Sequence, residues 1–431
     1  MLSDEKSHLV RFLRWSEKYT KTDMVYLASG GAWSIIGQFV AAVVALSVSV
    51  AFARYVPKDV YGNYKFILSI VGILSIFSLS NLGTAVAQSA AKGFDGALAE
   101  GFKINLRWSI LVFLGAFALF GYYTFFGNYA LAFGILLGGC ATPFLSGANL
   151  AGSFLNGKQD FSRATIYFGV IGVIVPALAL TSTIFLTQNV LILVAVFFLS
   201  NLAVDYFFYT RTSKLFNVQD ATFDPGMLTY GKHLSIMGVI GGIAGGIDQL
   251  LLFHYAGAVN LAVYAFSIGI IDQVRGPAKA LDKMMQARFT TRKSSHIADS
   301  MVNKILWMFV AGIFGAALFF VFAPLLYGLL FPAYMDAVPY ARAYALGFLA
   351  LGAIPIGSYF ISHKMIHEQY IMNVGGSILQ IAFMIAGVVG WGLWGLIIAR
   401  VTASILSALI MLFLYYFPLR AMRKAGGNGT L

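Results

Sequence analysis

The sequence predicts an all-α polytopic membrane protein, with about twelve transmembrane helices in two six-helix lobes related by pseudo-two-fold symmetry around a central cavity. Composition, segment length and an internal repeat predict it. Of 431 residues, 59% are apolar and 11% charged, and 38 are phenylalanine. That leaves too little polar surface to coat a soluble domain.

Each apolar segment is near the roughly 20 residues that cross about 30 Å of hydrocarbon. In order they cover residues 27–52, 60–79, 108–126, 130–155, 165–186, 190–209, 234–253, 261–284, 305–330, 344–362, 370–389 and 393–418. Residues 1–22 form a basic leader with Lys6, Arg11, Arg14, Lys18 and Lys21. The segment behind it is too long for a signal-peptide core, so the leader is expected to stay attached at the cytoplasmic face.

Charge sets the orientation. With the N-terminus inside, the inner connections receive most of the Lys and Arg, including Lys92, Lys103, Arg107, Lys158, Lys232, Arg292 and Arg423, while the outer ones keep Arg54, Lys58 and Arg342. This asymmetry predicts two cytoplasmic termini and accounts for most of the formal net charge of +12 without nucleic acid as a partner. The one long polar connection divides the chain into an N-terminal lobe at 23–212, a cytoplasmic linker at 213–232 and a C-terminal lobe at 233–431. No connection is large enough for a catalytic domain, and an enzyme is not expected.

The halves resemble each other. Tyr55-Val56-Pro57 and Tyr61-Gly62-Asn63-Tyr64-Lys65-Phe66 are echoed by Tyr255-Ala256-Gly257 and Leu261-Ala262-Val263-Tyr264-Ala265-Phe266. An even number of crossings per half gives both the same orientation, with the symmetry axis along the membrane normal and a substrate site expected between the two bundles. A lone Cys140 excludes an internal disulfide and any cysteine-based metal cluster, and no phosphate-binding loop or zinc-helix motif is present.

Intramembrane charges are the candidate functional residues, because a charge facing lipid at that depth costs at least about 2.5 kcal/mol. In the eighth segment Asp272, Arg275, Lys279, Asp282 and Lys283 follow spacings of three and four, predicting one helical stripe toward a wet cavity or pairing within itself. Arg400, deep in the last segment, has two open roles: a bidentate clamp on a substrate phosphate, or a structural partner for Asp248 or another buried acid. Lys65 either joins a cationic cavity or snorkels to the outer surface. Asp205 is expected to cap its helix or pair with Arg211. Gly238, Gly242 and Gly246 recur every four residues, which permits close helix packing and leaves room for a gating hinge.

Two stretches carry a family resemblance. Residues Ala51-Phe52-Ala53-Arg54-Tyr55-Val56-Pro57-Lys58-Asp59-Val60-Tyr61-Gly62, with Asn81-Leu82-Gly83 further on, resemble the opening of Wzx-type polysaccharide (O-antigen) flippases of the multidrug/oligosaccharidyl-lipid/polysaccharide (MOP) superfamily. Leu329-Leu330-Phe331-Pro332-Ala333-Tyr334-Met335-Asp336-Ala337 resembles a second family stretch. Val56 and Pro332 each stand where the family has glycine.

The resemblance implies two six-helix lobes with helices one, two, seven and eight as gating walls. The implied substrate is an undecaprenyl-diphosphate-linked oligosaccharide, moved from the inner to the outer leaflet of the bacterial inner membrane. It further implies membrane lipids, a polysaccharide polymerase and glycosyltransferases as partners. No cofactor is expected beyond a coupling Na⁺ or H⁺, for which Asp248, Asp272, Asn373 and Thr402 are the candidate ligands or charge partners. Arg275, Lys279, Arg400 and Lys65 become the candidate substrate-binding cations. A drug exporter of the same superfamily would want an acidic, aromatic pocket instead. Lipid II flippases usually add two further helices after the last segment seen here.

Overall fold

The structure is a computed structural model describing residues 24–218, 221–222, 224–276, 282, 285–286, 289, 294–363 and 365–424. The leader, Lys279 and Lys283 lie outside the described residues. Helices dominate and no strand occurs among the described residues.

Among the described residues, ten helical runs are long and apolar enough to cross a membrane. Two of them greatly exceed a bilayer's width: Gly238–Val274 has 37 residues and His367–Phe417 has 51. The first breaks at Gly257 (φ 81°, ψ 177°) and the second at Trp391 and Gly392, where Gly392 (φ 56°, ψ −132°) takes a conformation that only glycine adopts cheaply. The apolar segments of the sequence end near these breaks.

Local sequence explains several helix starts. Asn128 Oδ1 accepts from the Leu131 N–H at 3.3 Å, and Asp160 Oδ1 from the Arg163 N–H at 3.1 Å, each satisfying a donor left free by the first turn. Pro143 sits inside Tyr129–Gly157, where Thr142 Oγ1 donates to Gly138 O at 2.7 Å and Ser146 Oγ to Thr142 O at 2.9 Å. A π turn opens a helix in each half, at Thr165–Ile171 and at Ile371–Gly375.

The chain forms two compact units. The first comprises residues 1–48, 74–187 and 191–236. Its core packs Leu82, Val86, Leu98, Ile104, Ala151 and Phe154 with Val218 and Met227. Asp224 secures the polar connection, accepting from the Gly226 N–H at 2.9 Å, Lys92 Nζ at 3.1 Å and Ser89 Oγ at 3.2 Å. The Gly226 N–H and Lys92 hold its carboxyl below the usual carboxylate range.

A depressed folded-state value means that this tether contributes above the ordinary carboxylate pKa of about 4 and is lost as pH falls through the lower folded value. Asp224→Asn should therefore expose the 213–232 connection to protease faster at neutral pH, and the parent should approach that rate only in acid. Equal cleavage of the two at neutral pH would contradict the tether. Asp205, also in this unit, accepts from Asn149 Nδ2 at 3.2 Å, while Arg211 lies over the Tyr167 ring at 6.0 Å. The predicted Asp205–Arg211 pair does not form, because six residues along a helix turn the two side chains to different faces.

The second unit comprises residues 49–73, 188–190 and 237–431. Residues 51–62 and 329–337 of the family-like stretches lie in it and dock on each other. Arg54 Nη2 donates to Leu329 O at 2.6 Å, Lys58 pairs with Asp336 at 2.7 Å, and the buried Tyr61, Phe266 and Tyr334 rings pack together with Phe331. Small residues let backbones meet here. A Cβ at Gly62 would fall 1.9 Å from Ala258 O, and one at Gly395 only 1.8 Å from Gly387 O. Since a backbone cannot yield as a side-chain tip can, Gly395→Ala should destabilise by about 1–3 kcal/mol, read as a lower thermal midpoint in detergent. An unchanged midpoint would contradict the close helix pairing.

Candidate functional site

The site grows from a buried acid. Asp248 is 0% exposed on the glycine-rich helix. It accepts from Arg400 Nη1 at 2.5 Å and from the Tyr264 hydroxyl, to which Arg400 Nη1 also comes within 2.8 Å. A buried carboxylate needs such company, since its desolvation is repaid only by a paired charge with further hydrogen bonds. Of the two roles open to Arg400, the structure shows the pairing. Asp248 Oδ1 has no hydrogen-bond partner among the described residues.

Tyr344 links this triad to a second one. The Arg400 guanidinium lies 5.5 Å from the centre of its ring and the Arg275 guanidinium 4.9 Å from it. Its hydroxyl donates to Asp272 Oδ1 at 3.1 Å and accepts from Arg275 Nη1 at 3.2 Å, while Asp272 and Arg275 pair at 3.7 Å. Phe348 lies 5.3 Å from the same guanidinium, and Gly347 leaves room for it: a Cβ there would meet Arg275 Nη2 at 2.3 Å. Arg275 Nε and Nη2 are buried and have no hydrogen-bond partner among the described residues.

Two acids and two arginines thus form one connected group whose formal charges cancel. The partners differ in burial. The Asp248 side chain is 1% exposed, whereas that of Asp272 is 44% exposed. Lys65 stands apart from both acids. Its ammonium lies 5.5 Å from the centre of the Tyr61 ring, and it makes no ion pair among the described residues. Its helix is fixed beside it by Ser69 Oγ, which donates to Lys65 O at 2.8 Å and to Gln249 Oε1 at 2.5 Å.

Other predicted residues lie elsewhere. Thr402 is exposed, and its hydroxyl donates to Ile398 O and Ala399 O of its own helix, at 2.8 and 3.1 Å. Two residues from Arg400, it projects roughly 200° away around the helix. Asn373 is exposed in the π turn Ile371–Gly375. Neither reaches Asp248, and no group of three His, Cys, Asp or Glu suited to a metal occurs among the described residues.

The run holding Gly238, Gly242 and Gly246 stays helical, with Gly246 packed so closely that a Cβ there would crowd Ile73 at 3.3 Å, and the break falls at Gly257. The helix that carries Asp272 ends at Val274, within the predicted stripe, and Arg275 forms a turn. Sequence reading missed Tyr264 and Tyr344. The repeat had aligned Tyr264 with Tyr64, a weak signal, and nothing local marks Tyr344.

Transporters of the MOP superfamily share this fold. The inward-facing conformation of a multidrug resistance MATE family transporter has a TM-score of 0.72 at 14% identity, with 90% of this chain and 96% of that one covered. A MATE multidrug transporter solved as a ligand complex gives 0.65 at 14%, covering 91% and 95%. A MOP superfamily transporter from Pyrococcus furiosus gives 0.61 at 14%, covering 91% and 96%. No curated protein matches the chain significantly. The family model for polysaccharide biosynthesis proteins matches residues 27–271, more than half of the sequence, and the chain belongs to that family.

Proposed function

We propose that this MOP-type transporter is a flippase. It moves an undecaprenyl-diphosphate-linked oligosaccharide, such as an O-antigen or other surface-polysaccharide repeat unit, from the inner to the outer leaflet of the bacterial inner membrane by alternating access. Twelve helices in two lobes, both termini cytoplasmic, would serve that cycle, with polysaccharide polymerase and glycosyltransferases acting on either side of it. A Na⁺ or H⁺ gradient would drive it.

Family membership supports the substrate class, and one observation supports the chemistry: Arg275 holds an unpaired Nε–Nη2 edge, the fork that takes a phosphate bidentately. Desolvated donors without partners cost about 1–3 kcal/mol each, so a conformation that offers them a diphosphate gains by it. Lys65, and Lys279 by its place in the sequence, would add positive charge. Arg400 is committed to Asp248 and would act through the shared Tyr344 ring.

The likeness to drug transporters suggests cation export as the competing function. A cationic drug would want the acid that Arg400 here neutralises. Deleting the gene should make lipid-linked oligosaccharide accumulate on the inner leaflet, with full recovery on complementation. A deletion strain that keeps normal surface polysaccharide and becomes sensitive only to cationic dyes would assign the protein to drug export.

A further inference from the structure

The second unit also holds a cavity of about 420 Å³, lined by none of the residues discussed above except Asp282. That volume suits a drug-sized molecule. Its walls are mainly aliphatic, with Ile354, Ile361 and Met411 among them, and four polar residues line it: Asp282, Gln380, Ser404 and Ser407. Asp282 is used on one side only. Its Oδ1 accepts from Ser358 Oγ at 2.5 Å and from Gln286 Nε2 at 3.0 Å, whereas Oδ2 accepts from nothing among the described residues. Gln380, Ser404 and Ser407 make no side-chain hydrogen bond among the described residues either.

These features select an occupant. An alkyl chain alone would leave four polar groups unmatched, which is costly in an apolar space. A bare cation would use the oxygens and leave the aliphatic volume unfilled. An anion would meet the carboxylate, and a glycan would find no aromatic platform. We infer that the cavity binds an ammonium group carried on an apolar body, with the ammonium donating to Asp282 Oδ2 and the body lying along Ile354, Ile361 and Met411. Aminophospholipids and free amphiphilic amines both present that chemistry. The inference is independent of the flippase function.

The test is equilibrium binding of radiolabelled dodecylamine to purified protein in phosphatidylcholine nanodiscs at neutral pH, with dodecanol alongside. The amine should bind saturably and dodecanol should not. Asp282→Asn keeps an Oδ1 acceptor for Ser358 and Gln286 and should weaken the amine about tenfold or more. Ser407→Leu should abolish binding by filling the cavity, and since Ser407 makes no hydrogen bond among the described residues it tests the site even where Asp282→Asn fails to fold. Displacement of the amine by added phosphatidylethanolamine would identify a lipid occupant, and lack of displacement a free amine. Undiminished binding in either variant, or dodecanol binding as tightly as the amine, would overturn the assignment.

Discussion

Arg400→Ala is expected to destabilise the protein by about 3–5 kcal/mol, because it strands Asp248 without its cation where the side chain is only 1% exposed. The Tyr264 hydroxyl would remain as its one partner among the described residues. Such a pair is expensive to break without being a source of net stability, since both ions were desolvated to form it. Asp248→Asn with Arg400→Gln in the same chain should therefore recover most of the loss, and a double-mutant cycle should show strong coupling. Thermal or denaturant unfolding in detergent reads both. An Arg400→Ala protein as stable as its parent would mean that the pair does not hold the second unit together.

Arg275→Ala should act the other way round, with a small loss of stability and a large loss of transport. Its partner Asp272 is 44% exposed and can be rehydrated when the cation leaves. The stacking on Tyr344 and Phe348 contributes about 0.5–2 kcal/mol. Loss of one or two charge-assisted contacts to a diphosphate should slow flipping about ten- to a hundredfold. Arg275→Lys should keep the charge but neither the planar fork nor the ring stacking, so it should recover only part of the rate. Gly347→Ala should displace the guanidinium without removing it, because the new Cβ would meet Nη2 at 2.3 Å and only a side-chain tip has to move. If all three variants flip at the parental rate with normal amounts of folded protein, Arg275 does not touch the substrate.

The contrast between the two arginines was only half legible in the sequence. Hydrophobic length marked the spans, because the bilayer imposes it on any chain that crosses. The depth of Arg400 made a buried partner one of its two natural roles, and Asp248 was the acid named. The rest depended on long-range packing. Tyr344 lies far along the chain from Asp272 and Arg275 and from Arg400, so no local period announces that one ring serves both guanidiniums.

That Thr402 faces away from Arg400 was legible, because two positions along a helix turn a side chain by about 200°. The long helix breaks at Gly257, between two apolar segments of the sequence. A single residue with a positive φ leaves no periodic trace, whereas glycines spaced for packing do.

The measurement that bears most directly on the proposed mechanism is flipping in proteoliposomes. An oligosaccharide on undecaprenyl diphosphate is compared with the same oligosaccharide on the uncharged lipid, each scored by accessibility to an impermeant glycan-modifying enzyme. The account predicts rapid movement of the diphosphate-linked substrate, little of the uncharged one, and loss of that preference in Arg275→Ala. Equal rates for the two lipids in the parent protein would contradict it.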